Sequence, residues 1–416
     1  MRQAASVFAI GDVQSMTTCA PVPRGPLFGC GVVLLIRAIS LVLIALPALA
    51  APAPNAQQVA RHYATIVEAS YADSLSTARR LRWAIGVFLA QPSAAHLDAA
   101  RDAWREARDW YGQTEPYRFY GGPIDERGGP EPRVNSWPVD ESYIDYVRGR
   151  PHGGIINNRA LRINARELRR LNQRGGGENV ATGWHAIEFL LWGQDFDDAG
   201  SGARSHEDFV DGTVPNAARR REYLRVVTAL LVHDLAGVAN AWAPSRPNYR
   251  AGFERAGNEA LRRMIVGLGS LARGELAGER LEVALATQDQ EDEQSCFSDN
   301  THRDIVANAL GLENVWLGRY RRANGALVEG PSLRDLVAAR DPEIAEQTTR
   351  DLAQALEAAR AIHAPFDQEI LGGDEAPGRQ RIRAVIDSLK RTSQDLVKGA
   401  YVIGITRLTL AEPKPR

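Results

Sequence analysis

Residues 224–238 read Leu224-Arg225-Val226-Val227-Thr228-Ala229-Leu230-Leu231-Val232-His233-Asp234-Leu235-Ala236-Gly237-Val238. Leu224, Val227, Leu231, Leu235 and Val238 step by three and four residues, the spacing that lines one face of an α-helix. The same spacing links Ile305, Ala309, Leu312, Trp316 and Tyr320, and near the C-terminus Ile382, Val385, Leu389, Leu396 and Ile403. Each pattern sets an apolar stripe against a charged face, so each helix must pack on another. No stretch sustains the strict alternation of a half-buried strand. The expected fold class is therefore all-α, built as two packed helical-bundle domains.

Pro, Gly and charge punctuate these helices. Residues 121–138 cannot continue a helix, and Gly175-Gly176-Gly177 separates two helices. Ala243-Pro244-Ser245-Arg246-Pro247 is the best boundary, predicting an N-terminal bundle over 51–243 and a C-terminal bundle over 248–416. A shorter break falls at 326–331.

The 416 residues carry 50 Lys+Arg against 51 Asp+Glu, so no basic surplus points to nucleic acid. A hydrophobic share of 44% and a charged share of 24% are those of an ordinary globular chain. Arg37 followed by the apolar run 38–50, ending Ala48-Leu49-Ala50, has the layout of a secretory signal peptide. Cleavage there predicts a mature start at Ala51, export to the periplasm or cell envelope, and at most a peripheral hold on the membrane. The charged segment before the run is long, which suggests that translation starts closer to it. Cys19 and Cys30 leave with the signal. Cys296 then stands alone and forms no internal disulfide.

Chemistry concentrates at residues 181–193, Ala-Thr-Gly-Trp-His-Ala-Ile-Glu-Phe-Leu-Leu-Trp-Gly, where nearly everything is apolar except His185 and Glu188. A helix apolar all round is buried, and an imidazole and a carboxylate buried without partners cost several kcal/mol, on the order of 2–7 for a polar group. At i and i+3 the two share a face. They call for an opposite charge, a hydrogen-bond network with Arg or water, or a metal; imidazole plus carboxylate suits iron, zinc or manganese.

Gly183-Trp184-His185-Ala186-Ile187-Glu188, with its apolar and Trp192-Gly193 flank, resembles the Gly-x-His-x-x-Glu signature of the imelysin family. Tyr111-Gly112-Gln113-Thr114-Glu115, Val134-Asn135-Ser136-Trp137-Pro138 and Asp140 to Tyr146 agree with it. Gly274 to Arg280, then Asp289 to His302, resemble the branch called iron-regulated protein A. The resemblance runs in order over about residues 55–410. It implies an all-helical, two-bundle protein of the periplasm or outer surface, associated with iron acquisition and also classed among metallopeptidases, with the motif near a domain interface. The implied ligand is a metal ion or metal-containing ligand, iron with zinc as the alternative, and the implied partner an iron-transport system. The other readings are a metallopeptidase using the same residues and a module binding some other extracellular ligand.

A zincin would place a second His at 189, where this chain has Phe, and His206-Glu207 likewise lacks its second His. A third ligand would come from a facing helix. Trp104, Arg108, Tyr111 and Glu115 step by four, three and four, so Glu115 is the expected third ligand and Arg108 a neutraliser of Glu188; the alternative is an ion pair with aromatic packing. Tyr111 and Trp184 would line the site. Glu275, Glu279 and Glu282 share a predicted face as further candidates. The acidic run from Asp289 to Asp299 can attract a hard cation such as calcium, but lacks EF-hand spacing and reads instead as a solvated loop leading to a helix capped by Ser298 or Asn300.

Overall fold

A computed structural model of the chain describes residues 53–197 and 199–410. The expected signal segment lies outside the described residues, as do Cys19 and Cys30. Eight longer helices carry the architecture: α1 (Ala56–Ala90), α2 (Ala94–Gly112), α3 (Trp184–Trp192), α4 (Ala217–Ala241), α5 (Asn258–Ser270), α6 (Thr301–Leu317), α7 (Pro342–Arg360) and α8 (Pro377–Val402). The fold is all-α, as the stripes predict. The described exception is a pair of three-residue strands, Arg319–Arg321 and Leu327–Glu329, paired antiparallel. Tyr320, the last residue of its predicted stripe, sits on the first of these; it is still fully buried, with its hydroxyl on Asp73.

Helix α1 starts at a capping box in which Asn55 and Gln58 satisfy each other's backbone N–H groups. Its 35 residues serve two apolar cores. Val59 to Tyr71 enter one core with the end of α4, α5, α6, α7 and α8. Leu75 to Phe88 enter the other with α2, α3 and most of α4. Ala243–Pro247 forms the turn after α4, but the cores do not divide there, because α1 is shared and Val238 already belongs with the later helices. Cys296 and Phe297, from the segment before α6, cross the other way into the core of α2 and α3.

Beyond Ser270, α5 runs into a 12-residue π-helical stretch, Leu271–Glu282. Widened turns of this kind displace the side-chain register and often sit at functional sites. They also dissolve the predicted shared face of Glu275, Glu279 and Glu282. Glu275 pairs with Arg280 five residues on, whereas Glu282 pairs with Arg273 and Lys390.

Candidate functional site

All nine residues of α3 are buried, as an apolar helix requires. The helix begins at Gly183, whose φ of 95° is closed to ordinary side chains; a Cβ there would also stand 2.5 Å from the carbonyl oxygen of Val134. The motif glycine is thus a backbone requirement, since it lets the chain enter the core beside residue 134. Helix α2 clamps α3 with aromatic rings. Trp104 donates its indole N–H to the Trp184 carbonyl at 3.1 Å, and Tyr111 packs on Trp184 at 5.5 Å between centroids.

His185 and Glu188 meet as the spacing predicts, with Nδ1 and Oε2 at 2.8 Å. The other carboxylate oxygen, Oε1, accepts from the Ser298 backbone N–H at 3.1 Å and from its hydroxyl at 2.6 Å. His185 Nε2 is buried and has no hydrogen-bond partner. Burial, with help from Arg108 and Arg280, drives the imidazole well below its ordinary range, so His185 is neutral at pH 7. Burial also pushes Glu188 up, opposed by the Ser298 hydroxyl. In the tautomer that puts the proton on Nδ1, that N–H donates to the carboxylate and Nε2 keeps a bare lone pair. Trp184 Nε1 is a second buried atom without a partner.

Arg108, Glu115 and Tyr111 form a separate, continuous network beside this pair. Helix α2 stops at Gly112, so Glu115 leaves the predicted face and sits in the short turn Glu115–Tyr117. That turn lies so close to α5 that a Cβ on Gly267 would come within 2.2 Å of the Pro116 carbonyl oxygen. Glu115 accepts from Arg118 at 2.6 Å, from Arg280 at 2.7 Å and from Asn135 at 3.2 Å. Arg108 donates to Asp304 at 2.9 Å and to Asn135, and lies over the Tyr111 ring. Arg280 continues through Asn308 to the Asp304 carbonyl, closing a ring of side chains. Burial alone would raise the Glu115 carboxyl; the guanidiniums of Arg118, Arg280 and Arg108 instead hold it at about 2. Glu115 is therefore committed to arginines, and the direct partner of Arg108 is Asp304, not Glu188.

The segment before α6 differs most from its expectation. Residues 293–298 are buried, and neither candidate cap acts as one: Asn300 makes no side-chain capping bond and the Ser298 hydroxyl is spent on Glu188. Ser295 adds a bond to Asp304, so this segment holds both the His–Glu pair and the arginine ring. Ser298, Asp304 and Arg280 are the residues that spacing missed. Phe189, where a zincin carries its second His, packs against Phe297 at 5.3 Å.

An all-helical fold with a buried His-x-x-Glu pair, entered through a conformationally required glycine, defines an imelysin-type protein. The imelysin family model, that of the M75 peptidases, matches residues 67–396, and the chain belongs to this family. It is 28% identical over 348 residues to iron-regulated protein A of Synechococcus elongatus, covering 80% of this chain and 84% of that one. Its fold is similar to the crystal structure of a protein assigned as an iron-regulated protein A precursor from Parabacteroides distasonis. The TM-score is 0.64 at 20% identity, over 85% of this chain and 97% of the other. The family and the Synechococcus elongatus relative support an iron-related role, and the solved structure supports the fold.

Proposed function

We propose that this chain is an exported, cell-envelope imelysin of iron uptake that takes a metal ion, iron before zinc, on Nε2 of His185. The observation that carries the reading is that nitrogen: buried, neutral and without a partner, while its sister Nδ1 is fixed by Glu188. A carboxylate that holds one imidazole nitrogen and leaves the other bare is the outer half of a carboxylate–histidine–metal arrangement. Glu188 then orients the ring and raises its basicity instead of binding the metal, because the two ring nitrogens point away from each other. Glu115 belongs to the arginine ring. One protein nitrogen suits a metal that brings other ligands with it, as cargo delivered to or from a transport system would.

The test is titration of iron(II), iron(III), zinc and manganese into mature protein and into His185→Ala, following heat of binding and melting temperature. Binding stabilises the native state by roughly 2.7 kcal/mol at a hundredfold excess over Kd. Wild type should gain this with at least one metal and His185→Ala should not. Wild type indifferent to all four would make His185–Glu188 a structural pair. N-terminal sequencing of exported protein, expected to begin at Ala51, tests the localisation.

A further inference from the structure

A second group of acids lies just beyond the end of α3, in residues the His185 reading does not use. One carboxylate oxygen from each of Asp195, Asp299 and Asp367 lies within 4.8 Å of the other two. Asp195 and Asp367 are buried, at 4% and 2% exposure, and Asp299 is half-buried. Independently of these three, Glu293 is completely buried, neither of its oxygens makes a close hydrogen bond, and the groups it feels are Asp367, Thr301 and Asp299. Asp195 Oδ2 and Asp299 Oδ1 also lack a donor.

Elsewhere several buried carboxylates are answered with arginine. Asp145 receives Arg204 and Arg220, Glu115 receives Arg118 and Arg280, and Asp304 receives Arg108. Arg105, the arginine felt at Asp299, is paired with Asp102 instead. Asp195, Glu293 and Asp299, drawn out of water with no guanidinium bonded to them among the described residues, are costly unless a cation or protons join them.

We infer that Asp195, Glu293, Asp299 and Asp367 form a cation site for a hard, oxygen-seeking divalent ion of the calcium class. The donors are all oxygen, which disfavours soft metals. Calcium binds oxygens at roughly 2.3–2.6 Å in flexible geometry, so ligands up to about 5 Å apart can share one ion, whereas magnesium demands a near-ideal octahedron and usually keeps several waters. The four acids come from three separate segments: the residue after Gln194, the turns between residues 290 and 300, and the short helix Phe366–Ile370. An ion here cross-links the C-terminal end of α3 to the segment that carries Ser298. It braces the His185–Glu188 pair from outside without touching it.

The experiment is calcium titration of chelator-treated mature protein by calorimetry, with terbium luminescence as a second readout. Asp195→Asn, Glu293→Gln and His185→Ala run alongside. Wild type should bind one calcium and melt higher in its presence. Asp195→Asn and Glu293→Gln should each weaken binding at least tenfold, and His185→Ala should bind calcium as wild type does, which separates this site from the metal reading at His185. Both acid variants removing a bulk of unpaired charge, each should still fold without calcium. Wild type binding neither calcium nor terbium, with a melting point indifferent to both, would mean that protons neutralise the cluster and would overturn the inference. Unchanged affinity in both acid variants would overturn it equally, and magnesium binding as tight as calcium would overturn the assigned class.

Discussion

Ser298 gives both its backbone N–H and its hydroxyl to a single oxygen of Glu188, 110 residues away in the chain. The orientation of the His185 ring is thereby set by a segment outside the motif, since the other oxygen of the same carboxylate holds Nδ1. Ser298→Ala removes the hydroxyl and leaves the N–H. Losing one donor to a buried carboxylate should cost about 1–3 kcal/mol, read from urea unfolding as a lower midpoint at unchanged slope. A variant as stable as wild type would show that the backbone bond alone holds Glu188.

Gly183→Ala should cost more than its size suggests. The new Cβ meets a fixed backbone oxygen at 2.5 Å, and φ is positive, so strain and collision add. A loss of about 2–4 kcal/mol is expected. Gly177→Ala is the control: it has ordinary φ and open space, and should stay within about 1 kcal/mol of wild type. Similar losses in the two variants would contradict the role given to the motif glycine.

The elements legible in the sequence are those whose partners are local. Apolar stripes located α4, α6 and α8, and the i, i+3 step brought His185 to Glu188, because both are settled within one helix. Glu115 leaves its predicted face because its helix ends at Gly112, three residues early, where the chain turns close against α5. The predicted row of Glu275, Glu279 and Glu282 does not form, because a π-helical stretch has no signature in 3.6-residue spacing. Ser298 and Glu293 look like members of a solvated acidic loop, and Asp304 like a residue of the next helix's first turn, until the core of α2 and α3 takes in Cys296 and Phe297. Polar residues buried by distant partners leave no periodic trace.

Cys296 is buried and free, and burial pushes its thiol well above the ordinary range. Little thiolate exists at neutral pH, so the native mature protein should react slowly with a thiol reagent and fully on denaturation, giving one equivalent. Its melting temperature should not change with reductant. Rapid native reaction, or more than one equivalent, would contradict either the burial or the expected removal of Cys19 and Cys30.

The arginine ring should set the acid limit of stability. Glu115 has its carboxyl held at about 2 against an ordinary 4.5. A group whose folded pKa is depressed contributes its stability in full above the unfolded value and loses it as pH falls through the folded one. The contribution is therefore complete above about pH 5 and disappears towards pH 2, and at roughly 1.4 kcal/mol per unit it amounts to about 3 kcal/mol. Glu259 is also held at about 2, but its side chain is 42% exposed and water screens its pairs with Arg262 and Arg263, so it adds little. Glu115→Gln keeps the shape and leaves Arg118 with Glu131, and Arg280 with Glu275. It should be several kcal/mol less stable at pH 7, about 3–5 by the usual cost of breaking a buried pair, with a flatter decline between pH 5 and 2. Denaturant unfolding of both proteins across that range measures the two slopes. Parallel curves would mean that the acid sensitivity originates in other carboxylates and that Glu115 is no more than packed.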